Sequence, residues 1–277
     1  MRNCLMKSSQ LINRILLLLG LFLLSAFSEV IAQDTLKVIT YNIFNAQHPD
    51  NRGESTLADI ADFISDEGPD FVALQEVDSA THRLATLNGG RYFSLADSLA
   101  ERTGMHANFG KALDFDGGGY GIAILSRKPM STQKVTLPNP KGGEPRVLLT
   151  ANFDTDSGKK LILATTHFDH QHKENRQQQV DAVNELLLQK NKPPVILAGD
   201  FNFEPDLEAY QIMQKYWVDT AIEGAGAPAF TYPTNDPSRR IDYVFVTPSQ
   251  RWEILSQEPP KLPYSDHLPV VTRLVLH

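Results

Sequence analysis

Val195-Ile196-Leu197-Ala198-Gly199-Asp200-Phe201-Asn202 runs an apolar strand straight into an acid and an amide. A strand apolar on both faces is buried in a sheet, and ligand-type side chains at its end stand at the sheet's rim, where ligands bind. Near the C-terminus, Tyr264-Ser265-Asp266-His267-Leu268-Pro269-Val270 adds a carboxylate beside a titratable imidazole. Together the two stretches point to a metal-assisted hydrolase.

Outward from that strand, short β-rich runs alternate with helical patterns. Residues 36–42 read as a strand, and 56–67 carry helical spacing at Leu57, Ile60, Ala61 and Ile64. Gly68-Pro69 stops that helix, and 70–76 is the next strand. Residues 94–103 predict a helix closed by Gly104. Strands are expected over 122–126, 146–153, 161–167, 241–246 and 270–276, with Asp156-Ser157-Gly158-Lys159 as a hairpin turn. Residues 174–189 predict an amphipathic helix with Val180, Val183, Leu186 and Leu187 inward, before Pro193-Pro194. Gly117-Gly118-Gly119-Tyr120-Gly121 reads as a flexible loop, and without a following Gly-Lys-Ser/Thr it is no P-loop. No linker, low-complexity tract or clear repeat divides residues 33–277, so mixed strands and helices in one large domain imply an α/β layered sandwich.

Asn42, Glu76, His167, Asp200 with Asn202, and Asp266 with His267 sit at or just after the ends of apolar runs; Asp242 sits near the start of one. Alone, Glu76 reads as a solvent-facing acid and Asn42 as a turn residue. With Asp266 they form an oxygen-rich set suited to a hard divalent cation, Mg²⁺ by default and Mn²⁺ as a substitute. His267 needs a partner to act as a base, and Asp242 is the candidate: a carboxylate on one ring nitrogen fixes the tautomer and raises the basicity of the other. His167 is placed to donate a proton to a leaving oxygen, while His170 and His172 read mainly as loop polarity. Asp200 can orient or deprotonate water, and Asn202 can donate to a phosphate oxygen as charge builds there. Tyr120 can hydrogen-bond a phosphate. Arg146 is either a phosphate clamp or half of a surface ion pair. Arg239 and Arg240 are expected to serve Asp242 or the phosphate, and His48, His82, His106 and His277 to be surface or packing residues.

The N-terminus has a different character. Arg2, Lys7 and Arg14 precede a Leu/Ile run over residues 15–24, and Val30-Ile31-Ala32 fits a small-x-small cleavage site. This is the layout of a signal peptide over residues 1–32, with an apolar core too short for a comfortable span, and it predicts a secreted or periplasmic protein with no membrane span after cleavage. Cys4 is the only cysteine, so the mature chain has no thiol chemistry. Without Arg2, Lys7, Arg14 and Glu29 the formal charge moves from −7 to −9. With no basic stripe, nucleic acid is a possible but not favoured partner.

Thr40-Tyr41-Asn42, Leu74-Gln75-Glu76-Val77, Tyr120-Gly121 with Ile124-Leu125-Ser126, Thr166-His167, Gly199-Asp200-Phe201-Asn202, Arg240-Ile241-Asp242-Tyr243 and Ser265-Asp266-His267 follow one another as in the endonuclease/exonuclease/phosphatase family. The chain thus resembles the family of deoxyribonuclease I, AP endonucleases, neutral sphingomyelinases, inositol polyphosphate phosphatases and deadenylases. The resemblance implies a four-layer α+β sandwich, two packed mixed β-sheets flanked by helices, and Mg²⁺-dependent attack of water on a phosphoester. It implies that Asn42 and Glu76 bind the metal, that Asp266 binds or supports it, that Asp242 pairs with His267, and that Asp200 and Asn202 handle nucleophile and phosphate. It leaves open whether Asp200 or His267 is the base. His167 separates the chain from the AP endonucleases, and no Pro-Ala-Trp-Cys-Asp-Arg signature surrounds Asp242 as in inositol 5-phosphatases. Thr166-His167-Phe168-Asp169-His170 with Arg176 resembles bacterial metal-dependent hydrolases of the family. The expectation is a monomeric, exported phosphodiesterase acting on a small or lipid-linked phosphoester, sphingomyelinase-like or phosphatase-like. The alternatives are an extracellular nuclease and a catalytically silent phosphoester-binding module. Specificity is expected in the loops at 47–55, 113–119, 137–144 and 224–238.

Overall fold

Leu36 and Val38 leave one face of the first strand and Ile39 and Tyr41 the other, and all four are buried. Such a strand needs cover on both sides, and the same holds along most of the chain's apolar runs. The computed structural model describes residues 34–221, 229–248 and 251–277. The proposed signal peptide lies outside the described residues, as does the start of the 224–238 loop. No helix among the described residues is long and apolar enough to cross a membrane.

The strands are β1 (Asp34–Asn42), β2 (Phe71–Ser79), β3 (His106–Phe115), β4 (Gly118–Ser126), β5 (Thr132–Thr136), β6 (Val147–Asp154), β7 (Lys160–His167), β8 (Val195–Asp200), β9 (Val218–Asp219), β10 (Asp242–Val246), β11 (Trp252–Glu258) and β12 (Val270–Leu276). The helices are α1 (Leu57–Glu67), α2 (His82–Leu87), α3 (Leu95–Thr103), α4 (Lys173–Leu187) and α5 (Glu208–Tyr216). One six-stranded sheet has the order β11-β12-β1-β2-β4-β3 and the other β5-β6-β7-β8-β10-β9. In each, one central pair is parallel, β1 with β2 and β7 with β8. The other neighbouring pairs are antiparallel. Each parallel pair is joined through a helix, α1 or α4, as a parallel crossover requires.

Three apolar clusters fill the gaps. Leu36, Phe71, Ile124, Leu149, Leu163, Ile196 and Val244 belong to the one between the sheets. Ile60 and Ile64 of α1 and Leu95 and Leu99 of α3 cover the first sheet's outer face. Val180 and Val183 of α4 and Met213 of α5 cover the second's. The result is the expected four-layer sandwich. The expected strands and helices are present, while β3, β5, β9, β11, α2 and α5 have weaker patterns that the sequence reading passed over.

The glycine-rich run is a correction. Instead of a loop, Gly118 to Gly121 open β4. Glycine is a poor strand former, but a Cβ on Gly121 would lie 2.2 Å from the Gly110 carbonyl oxygen, so the close pairing with β3 demands its absence. Gly199 is equally constrained, since a Cβ there would lie 2.2 Å from the Thr166 carbonyl oxygen of β7. Gly199→Ala is therefore expected to cost about 2–3 kcal/mol in denaturant unfolding, because the parallel pair cannot open without moving its neighbours.

Candidate active site

Side chains alternate along a strand, and this decides what meets at the sheet edge. Asn42 shares the face of Leu36 and Val38, His167 that of Leu161 and Leu163, Asp200 that of Ile196 and Ala198, Asp242 that of Val244 and Val246, and Tyr120 that of Ile122 and Ile124. All five face the space between the sheets. Where the apolar core ends, Tyr120, His167 and Asp200 line a cavity of about 450 Å³ that also receives Asn202, Asp266, His267 and Arg146, with Asn42 and Asp242 bonded to Asp200 and His267 behind its wall.

Glu76 reaches the same cavity by a different route. Phe71 and Ala73 face between the sheets, while Val72 and Leu74 face the helices, so plain alternation would send Glu76 outward. The register with β4 shifts between Leu74 and Val77, and Glu76 takes φ 55°. This bulge reverses the alternation: Val77 packs among the helices and Glu76 turns into the cavity.

Asp200 is the hub. Its Oδ2 accepts from Asn42 Nδ2 at 3.1 Å, and its Oδ1 accepts from the Asn202 backbone at 3.0 Å. His167 Nε2 and His267 Nε2 stand 3.4 and 3.8 Å from Oδ2. The two histidines are held differently. Arg146 Nη1 donates to His167 Nδ1 at 3.1 Å, which assigns the imidazole proton to Nε2, facing Asp200. Burial, with the charges of Arg146 and His267, keeps His167 well below its ordinary value and hence neutral. His267 Nδ1 donates to Asp242 Oδ2 at 2.9 Å. Burial opposes charge on His267, but Asp242, Asp200 and Asp266 outweigh it and raise its pKa, so the ring favours the imidazolium form.

The acids crowd one another. Burial and the Asp266 charge push Glu76 up, burial and the Asp242 charge push Asp200 up, and burial raises Asp266. Oxygen donors under mutual repulsion fit a hard divalent cation, which would relieve that repulsion. Glu76, Asp266 and the amide oxygen of Asn42 are the available set. The Asn42 oxygen also accepts from the Phe44 backbone at 3.2 Å, while its nitrogen donates to Glu76 at 3.2 Å and to Asp200 at 3.1 Å, so this amide bridges those two carboxylates. Among the described residues it is Asp200, Asp242 and His267 that bring ligand-type atoms within 4.8 Å of one another, with Asp242 already engaged by the His267 ring.

Directly after Asn42, the three non-glycine residues Phe44, Asn45 and Ala46 take φ of 46°, 56° and 53°, a left-handed turn costly for L-residues. Arg83 holds it. Its guanidinium donates to Asn45 Oδ1 and grips the buried Asp78 at 2.6 and 2.8 Å, two residues beyond Glu76. It also lies 4.5 Å over Phe115. One side chain thus ties together the strained segments that carry Asn42 and Glu76. Arg83→Lys keeps the charge but loses the planar fork. It is expected to raise the metal concentration for half-maximal activity about tenfold with the far-ultraviolet circular dichroism unchanged. Arg83 escaped the sequence reading; a cation five residues past a buried acid on a different element was its only signal.

Arg146 is 3 % exposed and makes its ion pair with Glu144 from inside the cavity. Besides His167 it reaches His170 Nδ1 and Glu144, each at 3.1 Å, so His170 lines the cavity instead of serving as loop polarity. Arg240 is a correction: it forms two 2.6 Å contacts with Asp219 and serves neither Asp242 nor the cavity. Arg239 pairs with Glu204 at 2.8 Å and does line the cavity. Asn202 turns its amide to the Phe168 carbonyl at 3.1 Å from a left-handed backbone at φ 50°. Burial and the Glu76 charge hold Tyr120 well above its ordinary value, so its hydroxyl remains a donor.

The sequence model of the Endonuclease/Exonuclease/phosphatase family matches residues 39–267. The Escherichia coli (strain K12) "Uncharacterized protein YbhP" is 28% identical over 246 residues, spanning 82% of this chain and 95% of its own. An endonuclease/exonuclease/phosphatase from Beutenbergia cavernae superposes with TM-score 0.69 at 24% identity, over 88% of this chain and 72% of that one. The Bacteroides thetaiotaomicron mannosyl-6-phosphatase Bt3783 does so with TM-score 0.66 at 23% identity, over 87% and 100%.

Proposed function

Since the chain belongs to the endonuclease/exonuclease/phosphatase family, whose enzymes are hydrolases of phosphoesters, we propose that it is an exported, Mg²⁺-dependent hydrolase of a small phosphoester with Asp200 as its general base. The observation that carries this reading is the Asp200 carboxylate, ringed by Asn42, His167 and His267 at 3.1, 3.4 and 3.8 Å inside a bounded cavity. A fold neighbour described as a mannosyl-6-phosphatase supports a small polar ester in a cavity of this size.

The roles follow from proton placement. Asp200, with its raised affinity for a proton, takes one from the attacking water. His267 cannot be the base while its ring is charged; oriented by Asp242, it donates from Nε2 to a phosphoryl oxygen as negative charge grows there. Neutral His167 presents its Nε2–H for the leaving oxygen. Arg146, Asn202 and Tyr120 orient the phosphoryl group. Glu76, Asp266 and Asn42 would hold the divalent cation, which supplies Lewis-acid polarisation of the phosphoryl oxygen. The water–phosphorus bond forms as the ester bond breaks, and the proton that Asp200 takes from the water is released to the leaving oxygen, which the neutral His167 holds by a hydrogen bond from Nε2–H.

The test is turnover of aryl phosphate mono- and diesters, sugar phosphates, sphingomyelin and plasmid DNA with Mg²⁺ or Mn²⁺. We expect hydrolysis of a small ester in preference to DNA, abolished by EDTA and restored by excess cation. Inactivity on every phosphoester would sink the reading, and preferential DNA cleavage would favour the nuclease. Recovery of the protein in a periplasmic or culture-supernatant fraction, shortened by residues 1–32, checks export.

A further inference from the structure

One guanidinium holds two imidazoles. Arg146 Nη1 reaches His167 Nδ1 and Nη2 reaches His170 Nδ1, each at 3.1 Å. A guanidinium only donates, so both Nδ1 atoms accept, which assigns the proton of both rings to Nε2. His167 is buried and His170 exposed, so the pair runs from the inner wall of the active-site cavity to its mouth. His167 is committed to the leaving oxygen. The Nε2–H of His170 has no partner among the described residues, and no step of hydrolysis uses it.

The backbone beneath His170 is fixed on both sides. Before it, the buried Asp169 donates its N–H to Gln179 Oε1 at 2.9 Å and accepts from Arg176 Nη1 on its carbonyl at 3.0 Å. After it, the Gln171 and His172 backbones donate to Asp169 Oδ1 at 2.7 and 2.6 Å. Ring and backbone are therefore set before a ligand arrives, which spares a recognition group the cost of ordering.

Glu144 stands beside this ring. Its Oε2 meets the same Nη2 of Arg146 at 3.1 Å, its side chain is 45 % exposed, and it lines the same cavity. The mouth thus presents a donor, His170 Nε2–H, and an acceptor, the Glu144 carboxylate, bound to one nitrogen. A hydroxyl both accepts and donates, so it suits the two together. An ionised phosphate or carboxylate only accepts and would face the Glu144 charge, and a bare alkyl chain satisfies neither group.

Resting on the reading of the site as a phosphoester hydrolase in which His167 faces the leaving oxygen, we propose that His170 and Glu144 form a hydroxyl subsite for the leaving alcohol. The substrate class is the phosphate ester of a polyol, with a free hydroxyl near the ester oxygen. The two residues select the alcohol and do not touch the bond that breaks.

Glycerol 1-phosphate and n-propyl phosphate, which differ only in hydroxyls, are the probes, with turnover read by phosphate release and binding by calorimetry. The native protein should favour glycerol 1-phosphate at least about tenfold in kcat/KM, and mostly through KM, because a hydroxyl held alike in ground and transition states changes binding and not the chemical step. His170→Phe and Glu144→Ala, both at exposed positions, should each lower that ratio at least about threefold. A native ratio near one, or a ratio kept in both variants, overturns the proposal. So does an equal loss for the two esters, the mark of residues that act only through Arg146. Absence of turnover on these and every other phosphoester, with a calorimetric preference for glycerol 1-phosphate that His170→Phe removes, would instead overturn the hydrolase reading and leave the subsite standing.

Discussion

Asp200→Asn is expected to lower turnover by at least about 10³-fold while making the protein harder to unfold. The substitution keeps the shape and the contacts to the Asn202 backbone, but removes the one carboxylate that faces both imidazoles. Its stability effect has a definite sign. A carboxyl whose folded pKa is raised by burial favours the fold below its unfolded value near about 4, and that contribution is lost as pH rises through the folded value. At neutral pH and in EDTA the Asn variant should therefore gain about 1 kcal/mol, and at pH 4 the gain should vanish. Excess Mg²⁺ should narrow the difference by offsetting the crowded charge. Parallel thermal melts and single-turnover assays check both halves. A variant that retains a tenth of native turnover removes Asp200 from the role of base.

Asp242→Asn is the second large loss, about 10²–10⁴-fold in kcat, because the carboxylate that orients the imidazole disappears. Asp242 Oδ2 is the partner of His267 Nδ1 at 2.9 Å, and its buried Oδ1 has no hydrogen-bond partner among the described residues. An amide there either accepts from Nδ1 and leaves its NH₂ unpaired, or donates to Nδ1 and moves the ring proton to Nε2. In both cases the charge that helps hold His267 protonated is gone. The charged ring is the active form, so activity falls as pH rises past its pKa. Lowering that pKa must move the alkaline limb of the pH–rate profile to lower pH, and an unmoved limb in the Asn variant would falsify the assignment of His267 as the charged donor.

Much of this arrangement is legible in the chain because alternation along a buried strand is a rigid rule. Once 195–200 and 161–167 are strands, Asp200 and His167 must share the face of their inward aliphatics. The Asp242–His267 pair follows from chemistry, since an isolated buried histidine needs a partner. What stayed hidden depends on backbone exceptions. Nothing in Leu74-Gln75-Glu76-Val77 announces that a bulge reverses its alternation, and a strict reading of the strand would put Glu76 on the wrong face. Phe44-Asn45-Ala46 contains no glycine to signal a left-handed turn, so neither the turn nor Arg83, which restrains it, has a local pattern. Gly118 and Gly121 misled in the opposite direction, because a strand uses glycine where two backbones crowd. Arg240 was assigned by its nearness to Asp242, two residues on, but it precedes the strand that starts at Asp242, so strand alternation does not place it, and it reaches Asp219 instead.

The matched strand orders of the two sheets bring unlike groups to the reaction centre. Asn42 and His167 end the first strand of each parallel pair, Glu76 and Asp200 sit toward the end of the second, and Tyr120 and Asp242 stand near the start of the strand that returns beside it. Matching strand positions thus carry different chemistry, amide, carboxylate and phenol on one sheet and imidazole and paired aspartates on the other. Under the proposed reading, with Asp200 activating water and His167 facing the leaving oxygen, a single direct displacement is expected, so a chiral phosphoester should be hydrolysed with inversion at phosphorus.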